Sequence, residues 1–146
     1  MNKRIVTIGL IQMRCSNSPD DNLTRALAKI DEAVEKGAKI VCLPELFLST
    51  YFCQRPDDKK ALASAEKLPN KNTEAIAKKA KEHGIVIVGG SLYELGSDGK
   101  RYNTSPIFGP DGKLLGIYRK THIPEDILYH EQHYFASGDL GIRVFE

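Results

Sequence analysis

The chain has 146 residues, of which 41% are hydrophobic and 27% charged, a composition that excludes a disordered or low-complexity protein and leaves room for one domain. Twenty-one basic against nineteen acidic residues leave a net charge of +2, too little to bind nucleic acid by charge alone. Nothing approaches the ~18 apolar residues of a membrane span, and three cysteines without C-x-x-C spacing make no disulfide framework, which points to a reducing, cytoplasmic setting.

Met1-Asn2-Lys3-Arg4 and the apolar run Ile5 to Ile11 resemble the start of a signal peptide, but Gly9 and Gln12 interrupt the run and no small-x-small cleavage site follows. Ile5 to Met13 instead reads as a strand. Its two faces are both apolar, which predicts a central strand covered on both sides. Ser18-Pro19-Asp20-Asp21 supplies an N-cap, a first-turn proline and two acids, so a helix is expected to about Lys36, with Leu23, Leu27, Ile30 and Val34 inward and Gly37 as its left-handed stop. Ala38 to Leu43 is a second apolar strand. Strand, helix and strand in this order make a βαβ unit with parallel strands.

The connection from Pro44 to Pro56 is long and carries Phe47, Tyr51 and Phe52, the character of a pocket wall. A helix from about Asn72 to His83, stopped by Gly84, leads into a strand from Ile85 to Val88. Beyond Leu95 the turn sequences Gly96-Ser97-Asp98-Gly99 and Gly109-Pro110-Asp111-Gly112 predict short antiparallel strands. Ile142, Val144 and Phe145 read as a further strand halted at Glu146, as in a piece of something longer. So few elements would leave the sheet an open edge and a bare face, and such a piece is expected to associate.

In open α/β sheets ligands sit beyond the carboxyl ends of the strands, where Pro44-Glu45 lies. Proline sets the turn and Leu43, Leu46 and Phe47 surround the carboxylate with apolar groups, a setting suited to a general base. Lys120, in Tyr118-Arg119-Lys120-Thr121-His122 at a strand end, offers an ammonium for a developing oxyanion. Taken alone, each also reads as a solvated charge.

Together these pieces resemble a known family. Cys42-Leu43-Pro44-Glu45-Leu46-Phe47 with Tyr51-Phe52-Cys53-Gln54, then Tyr118-Arg119-Lys120-Thr121-His122-Ile123-Pro124, then Tyr134-Phe135-Ala136-Ser137-Gly138-Asp139 are similar, in order and separation, to the carbon-nitrogen hydrolase (nitrilase) superfamily from Ile5 onward. The Tyr-Phe-Cys-Gln stretch, the His-Ile-Pro-Glu-Asp loop and Tyr129 to Phe135 look most like its N-carbamoylputrescine amidase branch. The resemblance implies the amino-terminal part of an αββα sandwich, a mixed sheet with helices on one face. It implies hydrolysis of a linear amide or N-carbamoyl amine, no cofactor, a small-molecule substrate and a homo-oligomer. Glu45 matches the base, Lys120 the oxyanion lysine, and Glu131 a second glutamate that positions lysine and substrate. Tyr51, Phe52 and Cys53 match the substrate-side wall. The family's nucleophilic cysteine follows the segment matched by Gly138 to Phe145, so residues 1–146 are expected to be a partial domain ending before it. Loss of a nucleophile in a well-studied triad costs ~10⁶ in turnover, so this chain by itself is expected to be nearly inert.

Rival readings are less well supported. His122, His130, Glu131 and His133 lack a convincing third and fourth metal ligand, and no metal is expected. Gly89-Gly90-Ser91 lacks the Gly-Lys-Ser/Thr ending of a phosphate loop, and paired glycines after a strand favour close packing. Lys78, Lys79, Lys81, Arg25 and Lys29 lie on helix faces opposite the apolar stripes, where solvation is the default. The alternative from another class is a catalytically silent fragment or pseudoenzyme subunit that acts only by association.

Overall fold

A computed structural model describes residues 5–145. Ser18 caps the first long helix, α1 (Pro19–Glu35), its side chain accepting the Asp21 N–H, and Gly37 follows with φ +89°. α1 joins β1 (Ile8–Leu10) to β2 (Ile40–Cys42), which pair in parallel as the βαβ reading expected. Gly9 is where α1 comes closest to the sheet, because a Cβ there would stand 2.9 Å from Ala33 Cβ. After a single-turn helix, α2 (Lys59–Leu62), which the apolar pattern does not mark, comes α3 (Lys71–His83). Its N-cap Asn70 and Thr73 form a reciprocal capping box, and Gly84 closes it in the left-handed conformation.

β3 (Val86–Val88) continues the parallel set beside β2. The antiparallel half follows as expected. β5 (Arg101–Phe108) pairs with β3 and β4 (Leu92–Leu95), and with β6 (Leu114–Arg119), giving a mixed six-stranded sheet in the order β1-β2-β3-β5-β4 with β6 beside β5. A small hairpin, β7 (Glu125–Asp126) with β8 (Tyr129–His130), and a 3-10 turn at Glu131–His133 complete the described elements. Among the described residues no helix is long and apolar enough to cross a membrane.

The core lies between the sheet and α1 and α3. Val41 and Ile87, side by side in register, pack with Ile30, Ile76 and Ala80, all fully buried. The alternate residues of the same strands, Ile40, Cys42, Val86 and Val88, are only partly covered, and Ile8 and Leu10 are 57% and 75% exposed. Among the described residues β1 is therefore an edge strand with one bare face, not the doubly covered central strand that its apolar pattern predicts. The pattern records apolarity on both faces and holds no record of strand order. The predicted terminal strand also fails to form: Ile142 and Val144 are over 90% exposed and the segment makes no ladder, although the Phe145 ring lies against Gly116 of β6. Glu146, its expected end, lies outside the described residues.

Candidate active site

Glu45 leaves the carboxyl end of β2 on a backbone fixed from two sides. The Ser91 N–H donates to the Pro44 carbonyl at 3.3 Å, and the Leu46 N–H donates to Ser91 Oγ at 3.0 Å. Gly90, at φ +63°, runs so close to Pro44 that a side chain would strike its carbonyl. The Gly89-Gly90-Ser91 turn thus does the close packing expected of it, with Gly89 against Pro106. Leu46 itself sits at φ +47°, a strained conformation for a branched residue, held by that Ser91 bond immediately after the carboxylate. Leu43 and Phe47 turn into the core and Leu46 into the aromatic cluster, so the expected apolar enclosure of the carboxylate does not form and 52% of the Glu45 side chain stays exposed.

Lys120 reaches this carboxylate from the end of β6. Its N–H donates to the Asn103 carbonyl at 2.9 Å and its own carbonyl accepts the Gly138 N–H at 2.8 Å, so the backbone is pinned on both sides. Nζ lies 3.1 Å from Glu45 Oε1 and 2.8 Å from Glu131 Oε2. Two of the three ammonium donors are thereby engaged and one remains for a ligand. Burial disfavours the charged form of Lys120, but hydrogen bonds to Glu131 and Glu45 and their negative charges outweigh it, and the pKa is raised.

Glu131 is 3% exposed on the 3-10 turn, so it is a buried carboxylate and not a surface charge. Its second oxygen accepts the Tyr51 hydroxyl at 3.0 Å. Burial, followed by the Glu131 charge, raises the Tyr51 pKa, so the hydroxyl remains a donor. The structure therefore brings Glu45, Lys120, Glu131 and Tyr51 together. Beside them Lys120, Ile123, Gln132, Phe135 and Ser137 line an open cleft.

Phe52 and Cys53 are placed differently. The Phe52 ring packs 5.1 Å from both Tyr93 and Tyr134, and Cys53 is fully buried in the same cluster with Leu46 and Phe135. Phe52 also borders a pocket with Leu46 and Tyr93, whereas Cys53 packs inside the cluster. Burial, and then the Glu131 charge, pushes the Cys53 thiol up to about 12, the opposite of what a nucleophile needs. Cys42 lies in β2, its thiol also pushed up by burial, and Cys15 Sγ donates to the Phe47 carbonyl at 3.3 Å.

One residue escaped the sequence reading. Asn103, 3% exposed on β5, donates from Nδ2 to Glu45 Oε1 at 2.7 Å while its carbonyl holds the Lys120 N–H. It ties the Glu45 carboxylate and the Lys120 backbone to one strand. No local signal marks it, since Asn103 stands in the polar run Asn103-Thr104-Ser105 of β5. Of the helix lysines, Lys78 and Lys81 are exposed as expected, whereas Lys79 is 19% exposed and held by Asp31 at 2.7 Å, and Lys29 pairs with Glu32 at 2.6 Å.

Known proteins share both sequence and architecture. The carbon-nitrogen hydrolase family profile matches residues 7–146. The omega-amidase NIT2 of Homo sapiens is 42% identical over 137 residues, covering 90% of this chain and 48% of that protein. The N-carbamoylputrescine amidase of Arabidopsis thaliana is 40% identical over 149 residues, covering 99% and 48%. Among solved structures, a carbon-nitrogen hydrolase from Helicobacter pylori G27 superposes with a TM-score of 0.80 at 27% identity, over 93% of this chain and 46% of that one. Nit3 of Saccharomyces cerevisiae, a member of the nitrilase superfamily, gives 0.77 at 29%, over 92% and 49%. The chain thus spans about half the length of the curated relatives it matches. On the family profile, the fold and these relatives, the chain belongs to the carbon-nitrogen hydrolase family.

Proposed function

We propose that this chain carries the base and the oxyanion-stabilising part of a hydrolase for linear amides or N-carbamoyl amines, and that the nucleophilic cysteine of the same catalytic domain lies outside these 146 residues. The observation that carries this reading is the Lys120 ammonium held between the Glu45 and Glu131 carboxylates at 3.1 and 2.8 Å. Glu45, half exposed and fixed by Asn103, accepts the thiol proton. The thiolate attacks the carbonyl carbon, and the remaining Lys120 donor stabilises the oxygen as it becomes negative. Collapse of the tetrahedral species expels ammonia, protonated by Glu45, and leaves a thioester. Glu45 then takes a proton from water, which adds to the thioester and restores the thiol. An amide yields acid and ammonia; an N-carbamoyl amine yields amine, carbon dioxide and ammonia. Neither route consumes a redox equivalent.

For the substrate we favour N-carbamoylputrescine, on the resemblance of the Tyr51 to Gln54 and Tyr129 to Phe135 stretches and on a relative that aligns with 99% of the chain. An omega-amide is the second reading, since the omega-amidases are as similar. Association into an oligomer rests on the family resemblance, since the bare sheet face with Ile8 and Leu10 is the one the rest of the proposed sandwich would cover. Two measurements test the proposal. Intact mass of the protein from its native source is expected near twice the 16.2 kDa of this chain, and 16.2 kDa itself would overturn the placement of the cysteine. Ammonia release by that protein is expected from N-carbamoylputrescine ahead of omega-amides; the reverse order assigns it to the second reading, and release from neither overturns the hydrolase.

A further inference from the structure

The β7–β8 hairpin and the turn behind it assemble a second group of ligating side chains, separate from the Glu45–Lys120–Glu131 nucleus. The hairpin register sets Glu125 opposite His130, with His130 Nδ1 2.7 Å from Glu125 Oε1. The 3-10 turn then brings His133 to the same side, its Nε2 3.8 Å from the same carboxylate oxygen. One donor atom from each of the three lies within 4.8 Å of the other two, and the imidazole rings stand 5.9 Å apart at 83°. Behind His133, its other nitrogen, Nδ1, is 3.1 Å from Asp57 Oδ1.

We propose that Glu125, His130 and His133 bind one divalent transition-metal ion of the zinc class, with Asp57 orienting the His133 ring. In a tetrahedral site with bonds of ~2.0–2.1 Å, donor atoms stand ~3.3 Å apart. The separations of 2.7 and 3.8 Å lie on either side of that value and the two histidine donors stand within 4.8 Å of each other, so side-chain rotation closes the triad on an ion. Two imidazoles and one carboxylate select zinc over magnesium or calcium, which want oxygen ligands. Three protein donors leave the fourth position to water. The bland reading is two ion pairs sharing a carboxylate. Against it stands Asp57, because a carboxylate behind one histidine, fixing which nitrogen faces inward, is the arrangement that supports a metal-bound imidazole. The sequence reading lacked a third ligand for this pair of histidines, and the hairpin supplies it in Glu125. A bound ion would fasten the hairpin to the turn that carries Glu131, and so couple metal occupancy to the position of the Lys120 partner.

Zinc chloride titrated into the full chain, followed by calorimetry and by the histidine ring resonances in NMR, tests the site without reference to catalysis. One equivalent is expected to bind, with the rings of His130 and His133 shifting and those of His83 and His122 unmoved, while magnesium chloride has no effect. A zinc-dependent rise in melting temperature should accompany it. His130→Gln with His133→Gln should lose that equivalent with an unchanged circular dichroism spectrum, and Asp57→Ala should weaken binding by about 10–100-fold. Absence of binding to the unaltered chain, ring shifts elsewhere, or a full equivalent retained by the double variant would each overturn the proposal.

Discussion

Arg119 and Lys120 are consecutive cations with opposite uses. The Arg119 fork grips Glu94, with Nε 2.9 Å from Oε2 and one terminal nitrogen 2.6 Å from Oε1, while the other reaches Asp139 at 3.0 Å. Its guanidinium lies 3.8 Å from the centre of the Tyr102 ring, and Thr104 Oγ1 donates to the same Glu94 at 2.5 Å. That pair is largely covered by protein, its side chains 13% and 8% exposed, although both residues reach the rim of a shallow pocket beside Gly96. Lys120, by contrast, is 28% exposed, shared between two carboxylates, and borders a cleft. A planar fork suits a closed structural clamp, and a point charge with a spare donor suits a ligand. A salt bridge becomes a candidate for chemistry when something is left unsatisfied on the open side.

That contrast can be broken at several depths. Glu94→Ala leaves a buried guanidinium without its main partner and should cost about 3–5 kcal/mol of stability; a urea midpoint close to that of the unaltered chain would show the clamp to be idle. On the proposed function, Lys120→Ala in the protein from its native source should lower ammonia release by about 10²–10³, the scale of losing one oxyanion donor; release at the parental rate would remove the role proposed for it. The same pairing of neighbours recurs at smaller scale in Asn70 and Lys71. Asn70→Ala removes the cap that accepts the Asn72 and Thr73 N–H groups at 3.1 Å, and should cost about 1 kcal/mol in urea unfolding. Lys71→Ala breaks a pair with Asp20 whose side chains are 70% and 76% exposed, and should cost well under about 1 kcal/mol. If the two variants cost the same, burial and geometry do not rank these contacts.

The fold was legible where a local signal decides it. Ser18, Gly37 and Gly84 mark helix ends by capping chemistry, and Gly96 to Gly99 and Gly109 to Gly112 mark turns that structure and sequence share. What local pattern does not hold is which strands become neighbours. β1 reads as central and lies at the edge, and Ile142 to Phe145 reads as a strand and pairs with nothing described. The site divides along the same line. Glu45 stands out by its place after a strand, and Lys120 and Glu131 through the family resemblance. Asn103 and Glu125 matter only because β5 lies beside β6 and β7 beside β8, pairings that no single segment encodes.

The central claim is that Glu45 and Glu131 jointly hold a protonated Lys120, and the side-chain titration of Lys120 by NMR reads it directly. Its pKa in the folded chain is raised above the ordinary 10.5, so its share of stability is whole below that value and is lost as pH climbs through the folded one. The account predicts a Lys120 midpoint above the ordinary 10.5, falling in Glu131→Gln. A midpoint at or below that value, unmoved by the substitution, would contradict it.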